Sequence, residues 1–116
     1  MRTIIAGSRT CTHMAYLNYA LKNCGWTPTV IICGCARGAD ELGKIFALEN
    51  NIPIEYFPAG WEKYGGAAGP IRNTQMAIKS EALIALWDGE SRGTLNMITT
   101  MKAMKKKVFV YEYTRR

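Results

Sequence analysis

Residues 29–50 read TVIICGCARGADELGKIFALEN, and this stretch decides the fold class. Its first five residues, 29–33, make a run that is apolar on both faces, as a central strand of a parallel sheet requires. A loop follows, Gly34-Cys35-Ala36-Arg37-Gly38-Ala39-Asp40, and residues 39–50 then space Leu42, Ile45 and Phe46 as the inward face of a helix. Strand, loop and helix in that order begin a βαβ unit, whose right-handed crossover returns the chain to a parallel neighbour.

The same alternation continues in both directions. Upstream, residues 3–6 form a short strand ended by Gly7, and residues 12–24 carry Met14, Leu17, Leu21 and Cys24 at helical spacing before Gly25. Downstream, IPIEYF (52–57) is a third strand, set at a sheet edge by Pro53. Residues 58–69 form a long loop, and Pro70 opens a helix to about residue 80. Residues 83–87 are the fourth strand and 108–113 the fifth. Between them, 94–106 form a helix with Met97, Ile98, Met101 and Met104 inward. The pattern predicts one α/β domain over residues 1–116. Its fold is a three-layer Rossmann-like arrangement with a five-stranded, mainly parallel sheet in the order 3-2-1-4-5.

Composition limits the function classes. A chain of 116 residues holds one domain. Its longest apolar run, 82–87, is far short of the roughly 20 residues that span a bilayer, and residues 1–6 lack a signal-peptide core. The expectation is a soluble, cytoplasmic protein with no membrane partner and reduced thiols. Cysteines 11, 24, 33 and 35 lack CxxC spacing and His13 is the lone histidine, so neither a metal site nor a cofactor is expected. The net charge is +6, and Lys105, Lys106, Lys107, Arg115 and Arg116 fall within the last twelve residues. Such a cluster can meet nucleic acid. Lysines ending a helix beside a solvated terminus explain it more simply.

An open parallel sheet binds ligands beyond the carboxyl ends of its strands. Gly7, Ser8 and Arg9 follow the first strand, and Gly34, Cys35, Arg37, Gly38 and Asp40 follow the second. Trp61, Lys63, Tyr64, Arg72 and Asn73 follow the third, and Asp88, Gly89, Ser91, Gly93 and Thr94 the fourth. Glycine admits a phosphate close to backbone N–H groups, arginine adds paired donors, and Ser8, Ser91 and Thr94 offer hydroxyls. Asp40 can cap its helix or hold a ribose. Asp88 can read a ribose, an amino group or Arg92. Trp61 and Tyr64 can stack on a base or pack on the sheet edge. Neither GxGxxG nor a P-loop is present, and glycines that merely make tight turns explain any one loop alone. Four converging loops favour a small nucleotide-derived ligand. No catalytic residue is assigned: His13 lacks a carboxylate partner, Cys35 lacks a histidine base, and no carboxylate pair is set for acid–base work.

At these loops the sequence resembles the small DUF2493 (YspA-like) proteins of the SLOG superfamily. The resemblance rests on GSR (7–9), GCARGAD (34–40), IPIEYFPAGWEKYGGAAGPIRN (52–73) and ALIALWDGESRGTLNMI (82–98), and it covers essentially the whole chain. That superfamily includes LOG-type phosphoribohydrolases and the DNA-processing protein DprA, and its small members are frequent in bacteriophage genomes. The resemblance implies a Rossmann-like, often oligomeric protein with a nucleotide-derived ligand over these loops. Two departures stand out. Where the family reads SGGARGAD, Cys33 and Cys35 replace the serine and a glycine. Where LOG hydrolases carry the glutamate of PGGxGTxxE, this chain has Met97, and a thioether is neither acid nor base. The expectation is a protein that senses or sequesters an ADP-ribose-type or cyclic-nucleotide-type signal, in a phage as a sponge against host defence. A nucleotide N-glycosidase using Asp40, Asp88 or Glu90 is the alternative, and DNA binding through the basic tail is the third reading.

Overall fold

The computed structural model describes residues 1–113, with Trp61 described by its backbone alone. Five strands alternate with helices: β1 (Arg2–Gly7), α1 (Met14–Asn23), β2 (Val30–Cys33), α2 (Ala39–Glu49), β3 (Ile54–Tyr56), α3 (Trp61–Tyr64), α4 (Ala68–Lys79), β4 (Ala82–Trp87), α5 (Arg92–Ala103) and β5 (Lys107–Glu112). The strands form one sheet in the order β3-β2-β1-β4-β5, every pair parallel. Thr3 stands opposite Val30's neighbour Ile31 on one side and Ala82 on the other, which places β1 at the centre. This is the three-layer Rossmann-like fold that the alternation predicts.

Alternate side chains of the central strands feed two cores. Ile4, Ala6, Ile32, Leu83 and Ala85 meet Met76 of α4 and Met97, Ile98 and Met101 of α5. Ile5, Ile31, Ile84 and Leu86 meet Leu17 of α1 and Leu42 of α2 on the other face. Fully burying side chains of this kind contributes roughly 1.5–3 kcal/mol each. The layers are therefore held by both faces of β1, β2 and β4, as continuous apolar runs require.

Several boundaries depart from the sequence reading. Ile45 is exposed rather than inward, because α2 closes on the sheet through Gly43, where a Cβ would sit 2.8 Å from that of Ile5. Met104 is exposed because α5 ends at Ala103. The stretch expected as loop contains α3 and a 3₁₀ turn, Gly65–Ala67. Helix α4 begins at Ala68, and Pro70 lies in its first turn, where an N–H has no intrahelical partner to lose.

The basic cluster divides as well. Lys106 is no surface cation: its ammonium donates to the carbonyls of Ala77 and Ser80 at 2.6 and 2.7 Å, capping the end of α4. Lys105, Lys106 and Lys107 lie where β5 begins, at the opposite end of the sheet from the carboxyl ends of the strands. Arg115 and Arg116 lie outside the described residues. Among the described residues no helix is long and apolar enough to cross a membrane.

Gly38 has φ +73° and ψ −121°, and a Cβ there would collide with the Ser8 and Arg9 carbonyls. Gly38→Ala is expected to cost about 3 kcal/mol in urea unfolding. Gly66→Ala, whose Cβ would meet open space, should stay within about 0.5 kcal/mol of the parent. Equal losses at the two glycines would contradict this placement.

Candidate functional site

Ser8 is where the strand-end loops meet. Its N–H donates to Leu86 of β4, its hydroxyl accepts the Asp88 N–H at 3.0 Å, and its carbonyl accepts from Cys11 and from Ala39 at the start of α2. The side chain is buried, so Ser8 fastens the loops to one another before it faces anything bound. Gly7 permits the approach, since a Cβ there would run into the Leu86 carbonyl.

Beside this knot lies a group of charges. Arg72, on α4, donates through Nη1 to the Gly34 carbonyl at 2.6 Å and through Nε to Asn73 Oδ1 at 3.3 Å. Asn73 is buried and in turn donates to Gly93 and to Asn96 Oδ1, joining α4 to α5. Asp40, 5% exposed, accepts the Ala36 N–H at 3.2 Å. Burial pushes its carboxyl up to about 6, against the Ala36 N–H and the positive charges of Arg72 and Arg9, which favour the anion. The expected helix cap is not what Asp40 forms: Gly38 is the N-cap of α2, without a side-chain bond, and the Asp40 carboxylate, inside the first turn, instead holds the loop ahead of the helix.

The fourth loop is built by its own side chains. Asp88 Oδ1 accepts from the N–H groups of Glu90 and Ser91, each at 2.9 Å. Ser91 Oγ then accepts from Thr94 N at 3.3 Å and lies 3.0 Å from Thr94 Oγ1, capping α5. This cap explains why α5 starts at Arg92 rather than at Thr94.

These loops enclose two adjoining lobes. The larger, about 470 Å³, is lined by Gly7, Ser8, Asp40, Asn73, Asp88, Ser91, Gly93 and Thr94 over a floor that includes Met76 and Met97. The smaller, about 370 Å³, is lined by Gly34, Cys35 and Arg37. Arg9 and Arg72 line both, as does Ala36. Three arginines thus border the small lobe with no carboxylate among its described lining residues, whereas Asp40, Asp88 and Glu90 all line the large one.

Most residues singled out in the sequence are gathered here, with exceptions. Gly38 and Gly89 shape turns without lining either lobe, and exposed Arg92 lines neither. Lys63 and Tyr64 sit on α3 outside both lobes, the Lys63 ammonium 5.2 Å from the Tyr64 ring centre. The Trp61 side chain lies outside what the structure describes. Glu90, read as a solvated turn residue, lines the large lobe. Thr10 and the Ala36 N–H were missed, having only proximity to Arg9 and Arg37 as a signal. Cys35 has φ +64°, the left-handed geometry that a glycine adopts without strain. Among the described residues no group of three or more His, Cys, Asp or Glu side chains could hold a metal ion.

The Asp40 carboxyl generates a pH test. Its folded value of about 6 lies above the ordinary 3.8, so the fold favours the protonated form, and stability falls as pH rises between these values. The shift corresponds to about 3 kcal/mol. Asp40→Asn keeps an acceptor for the Ala36 N–H and removes the titration. In urea unfolding, the variant should therefore gain about 3 kcal/mol relative to the parent between pH 3 and pH 7. A constant difference across that range would contradict the assignment.

No family model and no curated protein matches the chain. Among solved structures, it is similar to DNA processing protein A (DprA) from Streptococcus pneumoniae, with a TM-score of 0.74 and 18% identity. The match covers 94% of this chain and 49% of the DprA chain, so the present chain spans about half of that protein's length. At this identity the likeness is one of fold: the five-stranded parallel sheet with helices on both faces is the arrangement that this chain has in common with DprA.

Proposed function

We propose that the chain binds a nucleotide or nucleotide-derived signal of ADP-ribose or cyclic-nucleotide type, and holds it without cleaving it. The observation that carries this reading is a pair of adjoining lobes that share Arg9 and Arg72, the smaller bordered also by Arg37 and free of carboxylates among its described lining residues, the larger lined by carboxylates and hydroxyls. Arg9, Arg37 and Arg72 suit phosphate oxygens, to which guanidinium groups offer paired donors. Asp88, Ser91 and Thr94 suit the hydroxyls of a ribose, above the thioether floor of Met76 and Met97. Met97 stands on that floor at 1% exposure, where LOG-type hydrolases of the same superfamily as the DUF2493 proteins that the sequence resembles place a glutamate. If the chain is phage-encoded, this reading makes it a sponge for a nucleotide defence signal, acting as a small DUF2493-like SLOG protein and as a homo-oligomer.

A second reading has one observation in its favour. Asp40 borders the same cleft with its carboxyl pushed up to about 6, a value suited to proton transfer near neutrality. This would make the chain a nucleotide N-glycosidase. Free base released from nucleoside monophosphates by the parent, and not by Asp40→Asn, would establish it; intact substrate after long incubation would exclude it for the compounds tried. DNA contact through the basic tail has weaker support, since Lys106 is engaged on α4 and the cluster begins at the far end of the sheet.

Melting experiments with ADP-ribose, cyclic ADP-ribose isomers and cyclic dinucleotides test the leading reading. A ligand at 100 times its dissociation constant adds about 2.7 kcal/mol, which for a domain of this size raises Tm on the order of 10 °C. Arg37 is exposed and makes no hydrogen bond among the described residues. Arg37→Ala should therefore weaken binding about 10- to 100-fold with little change in the unliganded Tm. If none of these compounds moves the parent's Tm at millimolar concentration, the reading fails.

A further inference from the structure

The small lobe contains chemistry that the ligand reading does not use. Cys35 is exposed and lines the lobe, while Cys33, 3% exposed, lies beneath it at the end of β2. The two are separated only by Gly34, and the positive φ of Cys35 folds it back over its neighbour. The Cys35 N–H donates to Cys33 Sγ at 3.3 Å, and the Cys35 thiol faces the Cys33 carbonyl at 3.8 Å. The remaining thiols are elsewhere: Cys11 is fully buried, and Cys24 donates to the Leu21 and Trp26 carbonyls.

We propose that Cys33 and Cys35 form a peroxide-sensitive dithiol whose disulfide form reshapes the arginine-bordered lobe. Solvent reaches Cys35, so a hydroperoxide oxidises that sulfur first. An S–O bond forms as the O–O bond breaks, sulfur gives up two electrons, and the peroxide departs as an alcohol or water. The Cys33 sulfur then attacks the Cys35 sulfur. The S–S bond forms, the S–O bond breaks, and hydroxide leaves with the Cys33 proton as water. Burial, with the nearby negative charge of Asp40 and the Cys35 thiol, pushes the Cys33 thiol up to about 11, so Cys33 is not the sulfur that peroxide oxidises first and gives up its proton only as it attacks the neighbouring Cys35 sulfur.

The link removes the acceptor of the Cys35 N–H and draws the Cys35 side chain inward. That turn is also held by Arg72 on the Gly34 carbonyl and by Asp40 on the Ala36 N–H, so the rearrangement reaches two groups that line the cleft. Formation of the link is independent of any ligand; its effect on binding rests on the ligand reading above. In a reducing compartment such a disulfide is transient and reports oxidative stress.

The test treats reduced protein with stoichiometric hydrogen peroxide and maps the peptide that carries Cys24, Cys33 and Cys35. That peptide is expected to lose the mass of two hydrogens, with fragments placing the link between Cys33 and Cys35. Cys35→Ser should abolish the loss, and Cys33→Ser should instead give a dimedone adduct on Cys35. ADP-ribose binding by calorimetry should weaken about tenfold or more in the oxidised parent and return on reduction, while peroxide leaves the affinity of Cys35→Ser unchanged. A link elsewhere, or the same two-hydrogen loss in Cys35→Ser, overturns the dithiol. A Cys33–Cys35 link with unchanged ADP-ribose affinity overturns its coupling to the lobe. Reduced parent that binds no ADP-ribose counts against the ligand reading, and the mass readout still decides the dithiol.

Discussion

A buried serine, Ser8, ties the loops of three strands to one point through its N–H, its hydroxyl and its carbonyl. The parallel sheet sends these loops to the same edge, but topology alone leaves them able to splay apart. Ser8 fixes the first loop to Leu86 and Asp88 on one side and to Ala39 on the other. The glycines around it serve this closeness: at Gly7 and Gly38 a methyl group would run into the carbonyls that Ser8 assembles. Where the knot forms, the backbone of the cleft is set before any ligand arrives, and little of the cost of ordering these loops remains to be met on binding.

Electrostatics then divides what the knot has gathered. Arg72 reaches across from α4 to the β2 loop, and its bond to Gly34 brings a guanidinium beside the Asp40 carboxylate without neutralising the lobe that Arg9 and Arg37 also border. Asp40 is held in the cleft despite the desolvation that raises its carboxyl toward neutrality. A carboxylate in that position opposes a bound phosphate unless it takes up a proton or its charge is offset by the nearby Arg72 and Arg9. The same cluster therefore links pH, the shape of the β2 loop and the charge presented to an anion.

Much of this was legible in the sequence, for identifiable reasons. Apolar runs at 29–33 and 82–87 were legible as parallel central strands, because runs of five or six residues that end at Gly34 and at Asp88-Gly89 are too short for a buried helix and fit a strand covered on both faces. Strand-end glycines and arginines pointed to the cleft because chain topology converges them. The reading failed where a small residue replaced a large contact. Gly43, not Ile45, sets the approach of α2, and periodicity of large apolar residues is blind to it. It failed also where side chains bind backbone. Lys106 reads as one charge in a basic run, yet its position is decided by three helix-end carbonyls far away in sequence. Ser8 was singled out as a hydroxyl for a ligand, and only the fold reveals that its hydroxyl already accepts the Asp88 N–H.

We have proposed that Arg9, Arg37 and Arg72 hold a phosphate-bearing small molecule above a floor that does not cut it. Native mass spectrometry of the chain recovered from cells, set beside the Arg37→Ala form recovered identically, tests this most directly. The account predicts a noncovalent, phosphorus-containing adduct on the parent that leaves intact on denaturation and is depleted in the variant. A parent mass equal to that of the bare chain, or an adduct that contains no phosphorus, would contradict it.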